Sequence, residues 1–123
     1  MDTTIIAGRI EALLWSWHEA KLFLEHSVTF SSDALHVIAS VVVLLLVGLL
    51  LRKPVTSWWP WIVVLVSTLI NEFVDLWVEE WPDPGMQYGE GAKDLLLTMF
   101  LPTLLLVTSR KFPRLYRAVA PDL

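Results

Sequence analysis

Three apolar blocks, set apart by short polar or charged interruptions, organise the chain. The first, "ALHVIASVVVLLLVGLLL" from Ala34 to Leu51, is interrupted by His36. The second, "PVTSWWPWIVVLVSTLIN" from Pro54 to Asn71, runs on into the acidic stretch "EFVDLWVEE". The third is "LLLTMFLPTLLLVTS", Leu95 to Ser109. Apolar runs of this kind predict helices that cross a bilayer, not the one-faced helices of a soluble core. The third covers only roughly 23 Å of an approximately 30 Å hydrocarbon layer. To span, its helix must take in Lys93 and Asp94, or the bilayer must thin locally. Pro102 is expected to bend it.

Ahead of the blocks, Ile6, Ile10, Leu13, Leu14, Trp17 and Leu24 recur at helical spacing, with Arg9, Glu11, Ser16, His18, Glu19 and Lys21 on the polar side. This pattern predicts an amphipathic helix. It is expected to lie on the outer membrane surface; docking against the spans, or partial insertion beside them, is the competing arrangement. "SVTFSSD", from Ser27, reads as a turn in which Ser31, Ser32 or Asp33 caps the first span. "WPDPGMQYGEGAKD" is the one Pro/Gly-rich loop. The predicted fold is thus an all-α integral membrane domain: an amphipathic interfacial helix over 3–26, transmembrane helices over 34–52, 56–78 and 93–109, and a basic tail over 110–123. An early acid and no basic region precede the first apolar positions, so the N-terminus does not read as a cleaved signal peptide, and the mature chain is expected to start near Met1.

Charge gives this arrangement an orientation. Arg52 and Lys53 separate the first two blocks, and Arg110, Lys111, Arg114 and Arg117 follow the third, whereas the loop from Glu79 to Gly91 is acidic. Three spans put both basic clusters on one side, which should be cytoplasmic. The N-terminal segment and the acidic loop then lie outside, in a multi-pass protein expected in a bacterial inner membrane. Trp58, Trp59 and Trp61 fit an inner interfacial belt, and Trp77 and Trp81 an outer one. Nine basic against thirteen acidic residues give a formal charge of -4, which offers nucleic acid no general attraction. The absence of cysteine excludes a disulfide framework, thiol catalysis and thiolate metal ligands. The lipid bilayer is the expected partner, with a larger membrane complex or a homo-oligomer also open.

Candidate chemistry lies at one depth. His36 is sixteen residues from Arg52, Glu72 fourteen and Asp75 seventeen from Trp58, and Asp94 sixteen from Arg110. Each interval is roughly 21 to 26 Å of helical rise, just inside the outer boundary of the hydrocarbon. Glu72, Asp75 and Glu79 follow at i, i+3, i+7, and Ser67, Asn71 and Asp75 at i, i+4, i+8, so they share a face; Asp33 and His36, and Asp94 and Thr98, are similarly paired. Such faces should point at one another, because ionised groups facing lipid cost several kcal/mol. Asp33, Glu72, Asp75, Glu79 and Asp94 face only Lys93 and a protonated His36 on this reading. Shared protons could compensate, or a divalent metal bound by His36 with Glu72, Asp75 or Asp94, or a cationic ligand group. A purely structural network of interhelical hydrogen bonds is the plain alternative. "HEAKLFLEH" lacks the i, i+4 histidine spacing of a zinc helix, so His18 and His26 read as interfacial polar residues.

"DALH" opening one span, "NEFVD" closing the next and "KDLLLT" opening the last resemble the VanZ-like membrane proteins. The resemblance places Asp33, His36, Glu72 and Asp94 at that family's motif positions, over roughly residues 33 to 108. Asp75 stands where the family often has Gln, Thr98 where it has Asn and Leu101 where it has Gly. A cell-envelope protein with no established chemistry is what the resemblance implies. "NEFVDLWVEE" with "GAKD" is also similar to elements of bacterial diacylglycerol kinase, which would give Asn71, Asp75, Glu79, Lys93 and Asp94 metal- and nucleotide-binding roles. Orientation argues against it, since that enzyme uses cytoplasmic ATP and these residues are expected outside. The reading that results is a VanZ-like envelope protein binding or processing a lipid-linked or cationic amphiphile. Glu72 or Asp75 would act as acid or base, His36 as proton carrier or ligand, and Asp94 would orient them, with Asp33, Asn71, Glu79, Lys93 and Thr98 lining the substrate site. A non-catalytic accessory subunit of a larger complex and a kinase-like enzyme are the alternatives.

Overall fold

The computed structural model describes residues 3–117; the expected start at Met1 and the last residues of the basic tail lie outside them. The described residues form five helices and no strand: α1 (Thr3–Val28), α2 (Ser32–Leu51), α3 (Trp58–Val78), α4 (Pro84–Lys111) and a single turn and a half, α5 (Pro113–Arg117). Helices α2, α3 and α4 pack against one another pairwise, and α1 packs on α3. The three packed helices are long and apolar enough to cross a membrane, with mean hydropathies of 2.8, 1.7 and 1.4 over their most apolar windows.

Local chemistry sets the helix ends. Ser31 accepts the amide of Ala34 at 3.2 Å and caps α2. At its other end Arg52 turns left-handed (φ 52°), its N–H bonds Leu49 O at 3.2 Å, and the Lys53 N–H bonds Gly48 O at 2.9 Å. This is a Schellman stop built on arginine where glycine is usual. Residues 54–57 form a turn closed by Ser57 N–H to Pro54 O at 2.9 Å, so α3 begins at Trp58 and not at 56.

The largest departure from the sequence reading is the start of α4. The Pro/Gly-rich stretch is mostly helix, and α4 begins at Pro84 instead of 93. Asp83 accepts the Gly85 amide at 2.8 Å, and Pro84 supplies the fixed φ of a first helical turn, a combination that outweighs the poor helix propensity of the following glycines. At about 1.5 Å per residue, the resulting helix exceeds an approximately 30 Å hydrocarbon layer without local thinning.

The core sits toward the α2–α3 turn. Leu44, Val64 and Met99, one from each helix, are its buried centre, with Val43, Val55, Trp61, Leu65, Leu95 and Leu105 packed around them. Trp61 donates its indole N–H to Thr103 on α4 at 2.9 Å, so this tryptophan of the expected inner belt ties α3 to α4. Trp58 stacks edge-on against it, 5.6 Å between centroids, beneath the Arg110 guanidinium. Buried Ser40, Thr68 and Thr98 bond to carbonyls of their own helices, and their small side chains let the helices approach. Outward faces carry Leu46, Leu50, Val66, Ile70, Leu96 and Phe100, all exposed. Contiguous apolar surface on this scale belongs against lipid or another protein.

Candidate functional site

At the end of the bundle opposite the α2–α3 turn, the helices part around a cavity of about 790 Å³. α1 and α3 contribute Trp17, His18, Lys21, Asn71, Glu72 and Asp75, α2 contributes Leu35, His36, Ile38, Ala39, Val42 and Val43, and α4 contributes Gln87, Glu90, Gly91, Asp94 and Thr98. One wall is therefore polar and charged while much of the other is aliphatic. The acids Glu25, Glu72, Asp75, Glu79, Glu90 and Asp94 outnumber the cationic groups on the lining, Lys21 and the titratable His18 and His36.

Three sub-clusters occupy the polar wall. In the first, His36 Nε2 lies 3.2 Å from Asp94 Oδ2, and a Glu72 carboxylate oxygen joins them, all three groups within 4.8 Å of one another. His36 Nδ1 faces Thr98 Oγ1 at 3.2 Å, and the Thr98 hydroxyl donates to Asp94 O at 2.7 Å. Its only hydrogen committed, Thr98 can only accept from His36, which fixes the proton on Nδ1. Nε2 then points toward Asp94. Asp94 is buried, and its other oxygen, Oδ1, has no hydrogen-bond partner. Glu72 reaches this position because residue 91 is glycine: a Cβ there would stand 3.0 Å from Glu72 Oε2.

The second sub-cluster joins α1 to α3. Lys21 forms a short ion pair with Asp75 and donates to Asn71 Oδ1 at 3.0 Å, where the Trp17 indole also donates at 3.1 Å. Asn71 in turn donates to Asp75 Oδ2 at 3.2 Å, and more distantly to Glu72 Oε1 at 3.4 Å. His18 Nδ1 stands 3.6 Å from Asp75 and 3.9 Å from Glu79. Glu79 also accepts from Trp81 at 2.8 Å, and its carbonyl accepts from Gln87 at 3.0 Å. The third sub-cluster lies at the rim, where Lys93 pairs with Asp33 at 2.9 Å and closely with Glu90.

All nine candidate residues thus lie at this end, but not as one group. His36, Glu72, Asp94 and Thr98 converge; Asn71, Asp75 and Glu79 turn toward α1; Asp33 and Lys93 pair with each other. The expectation that the acids face only Lys93 and His36 is corrected, since Lys21 and His18 of α1 supply a further cation and a further imidazole. Nor is His18 merely an interfacial residue, and α1 does not simply lie apart on a surface: it docks on α3 through the Trp17–Lys21 segment, with Leu13 and Leu14 beside Ile70 and Val74. The excess of acids over Lys93 was the one sequence signal pointing to additional cations. Nothing in the spacing said which helix would bring them.

Comparison with protein families, with curated proteins and with solved structures finds no match to this chain.

Proposed function

We propose that the chain is a multi-pass membrane protein whose cavity binds an amphiphile, its polar head at the histidine–carboxylate floor and its apolar part along α2. The observation that carries this reading is the composition of one cavity: Leu35, Ile38, Ala39, Val42 and Val43 lie opposite Asn71, Glu72, Asp75 and Asp94. Its volume suits a lipid-sized head with part of a chain. With Arg52, Lys53 and Arg110 on the cytoplasmic side, the cavity opens outward. Its acid excess favours a head that is cationic or is met there by a cation. Three positions of the VanZ-like resemblance, His36, Glu72 and Asp94, meet in one cluster. Processing of the bound molecule would fall to Glu72 or His36, the half-buried titratable groups nearest the aliphatic wall. The kinase-like reading is the weaker, because Lys21 on the lining is held by Asp75, and Lys93 at the rim by Asp33 and Glu90, leaving no free lysine or arginine to meet phosphates there among the described residues.

Native mass spectrometry of protein extracted gently from its own membrane tests the proposal. The expected result is a small assembly carrying a bound amphiphile, lost in Ala39→Phe, which narrows the cavity along α2 while leaving every polar lining residue in place. Emergence only within a larger assembly, with no small ligand, would overturn it and favour the accessory-subunit reading.

A further inference from the structure

The three sub-clusters differ in one respect that bears on chemistry. Lys21 pairs with Asp75 in the second group, and Lys93 pairs with Asp33 and Glu90 in the third. The group of His36, Glu72 and Asp94 has no lysine or arginine within salt-bridge distance among the described residues. Its Asp94 is buried, with only 9% of its surface exposed.

Its hydrogen bonding leaves a gap that a positive centre would fill. With the Nδ1 proton donated to Thr98, the Nε2 lone pair of a neutral His36 faces a lone pair of Asp94 Oδ2 across 3.2 Å. Two lone pairs at that separation repel. A proton on Nε2 or on Oδ2 would relieve this single contact, but it would leave Asp94 Oδ1 buried without a partner. An ion with two positive charges would remove the clash between Nε2 and Oδ2 and compensate both carboxylates. A metal-bound imidazole characteristically donates its other N–H to an oxygen, as His36 does to Thr98. In a tetrahedral site with bonds near 2.0–2.1 Å, neighbouring donor atoms stand about 3.3 Å apart. The His36–Asp94 separation already matches such an edge, and the Glu72 oxygen, within 4.8 Å, needs only a side-chain adjustment.

We propose that His36 Nε2, Glu72 and Asp94 form a divalent transition-metal site. One imidazole and two carboxylates, with no thiolate, suit Zn²⁺, whereas Ca²⁺ and Mg²⁺ prefer all-oxygen sites. Three protein ligands leave a fourth position open, and here it faces the cavity. The inference rests on the reading of that cavity as a ligand site and deepens it: the ion would take an oxygen of the amphiphile's head at its open position. The ligands come one from each packed helix, so the ion would also cross-link α2, α3 and α4 at their most open level.

The test uses the full chain with a histidine-free affinity tag, purified in detergent, stripped with chelator and equilibrated with Zn²⁺ or Co²⁺. Expected is about one Zn²⁺ per chain by elemental analysis, with a visible d–d band on Co²⁺ loading. His36→Gln and Asp94→Asn should abolish both, and His26→Ala, outside the cavity, should change neither. Gly91→Ala keeps every ligand yet displaces Glu72, and should weaken Zn²⁺ at least tenfold while circular dichroism stays unchanged; it decides the matter even where a ligand variant fails to fold. Zn²⁺ that does not exceed the level seen with His36→Gln, or that survives Asp94→Asn, would overturn the site and leave an imidazolium–carboxylate pair. Native mass spectra taken with and without chelator separate this from the parent reading. Amphiphile without metal refutes the ion alone, and metal without amphiphile refutes the binding proposal alone.

Discussion

The two ends of the three-helix bundle are built on opposite principles. From the middle of the bundle to the α2–α3 turn, Leu44, Val64 and Met99 meet in a buried layer, a Schellman stop closes α2, and the neutral Trp61–Thr103 pair bonds across helices. At the other end the cross-helix bonds join His36 to Asp94 and Lys21 to Asp75, around open space. Where helices lie in lipid, apolar surface gains little by meeting apolar surface, so close packing and satisfied polar bonds must hold them. The turn end meets that requirement with its own atoms, and the open end does not. Stability is therefore expected to draw more on the turn end, which would free the other to hold something else.

Truncation tests this division most strongly. Leu44→Ala removes a side chain with 1% exposure from the centre of the buried layer and should cost about 2–3 kcal/mol in reversible unfolding from mixed micelles. Glu72→Gln, similar in size and half-buried, should cost under about 1 kcal/mol while eliminating ligand. Equal losses would break the comparison and make the open end a packing network.

Two glycines sharpen it further, because the same substitution should act oppositely at the two ends. A Cβ on Gly48 would stand 3.1 Å from both Lys53 O and Val55 Cγ1. The first of these is backbone held in the Schellman turn and cannot retreat without opening it. Gly48→Ala is expected to lower stability by about 1–2 kcal/mol. At Gly91 the obstacle is the tip of Glu72, which can swing into the cavity, and alanine is the better helix former by nearly 1 kcal/mol. Gly91→Ala should then leave stability unchanged or slightly raised, with the loss appearing in ligand or metal. A destabilised Gly91→Ala would mean that the Glu72 position is itself a structural requirement.

A smaller effect is expected where α1 meets α3. Lys21→Met removes the ammonium shared by Asp75 and Asn71 but keeps most of the stem, on a pair that is partly open to solvent. Its cost should be about 1 kcal/mol, felt locally as faster hydrogen exchange across α1 with no change in α2–α4. Exchange that rises in all four helices would show that α1 supports the bundle and is not simply docked on it.

These elements were unequally legible in the sequence. The three long helices follow from runs of apolar residues that no other structure accommodates, and the level of His36, Glu72 and Asp94 follows from counting helical rise. The start of α4 was hidden because Pro84, Gly85 and Gly89 read as loop chemistry, while the deciding feature, Asp83 capping a turn that Pro84 opens, is a matter of one residue's placement. How the polar residues divide was hidden for a different reason. Period and rise fix which face and which depth a residue occupies, but the rotation of each helix about its axis is set by packing with its neighbours. That rotation sends Asp75 to Lys21 and Glu72, three residues earlier, to His36. The part played by α1 depends on contacts fifty residues away in sequence, Lys21 with Asn71, for which a single chain carries no periodic signal.

The smallest expected effect lies in the turn itself. Arg52 holds a left-handed conformation that costs a non-glycine residue roughly 1–2 kcal/mol in local sterics. Glycine would relieve this strain but would also give the unfolded chain more freedom to lose. The two contributions oppose, so Arg52→Gly should raise stability by no more than about 1 kcal/mol, read as a small upward shift in the unfolding midpoint. The same substitution removes one of only two basic residues between α2 and α3, on the side that the proposed orientation makes cytoplasmic. Reporter fusions to the 79–91 loop would show whether orientation weakens as stability rises. If both hold, arginine stands at this turn at the expense of stability because its charge helps to orient the chain. If the unfolding midpoint falls instead, the Arg52 side chain makes a favourable contribution to the turn end greater than the strain it carries.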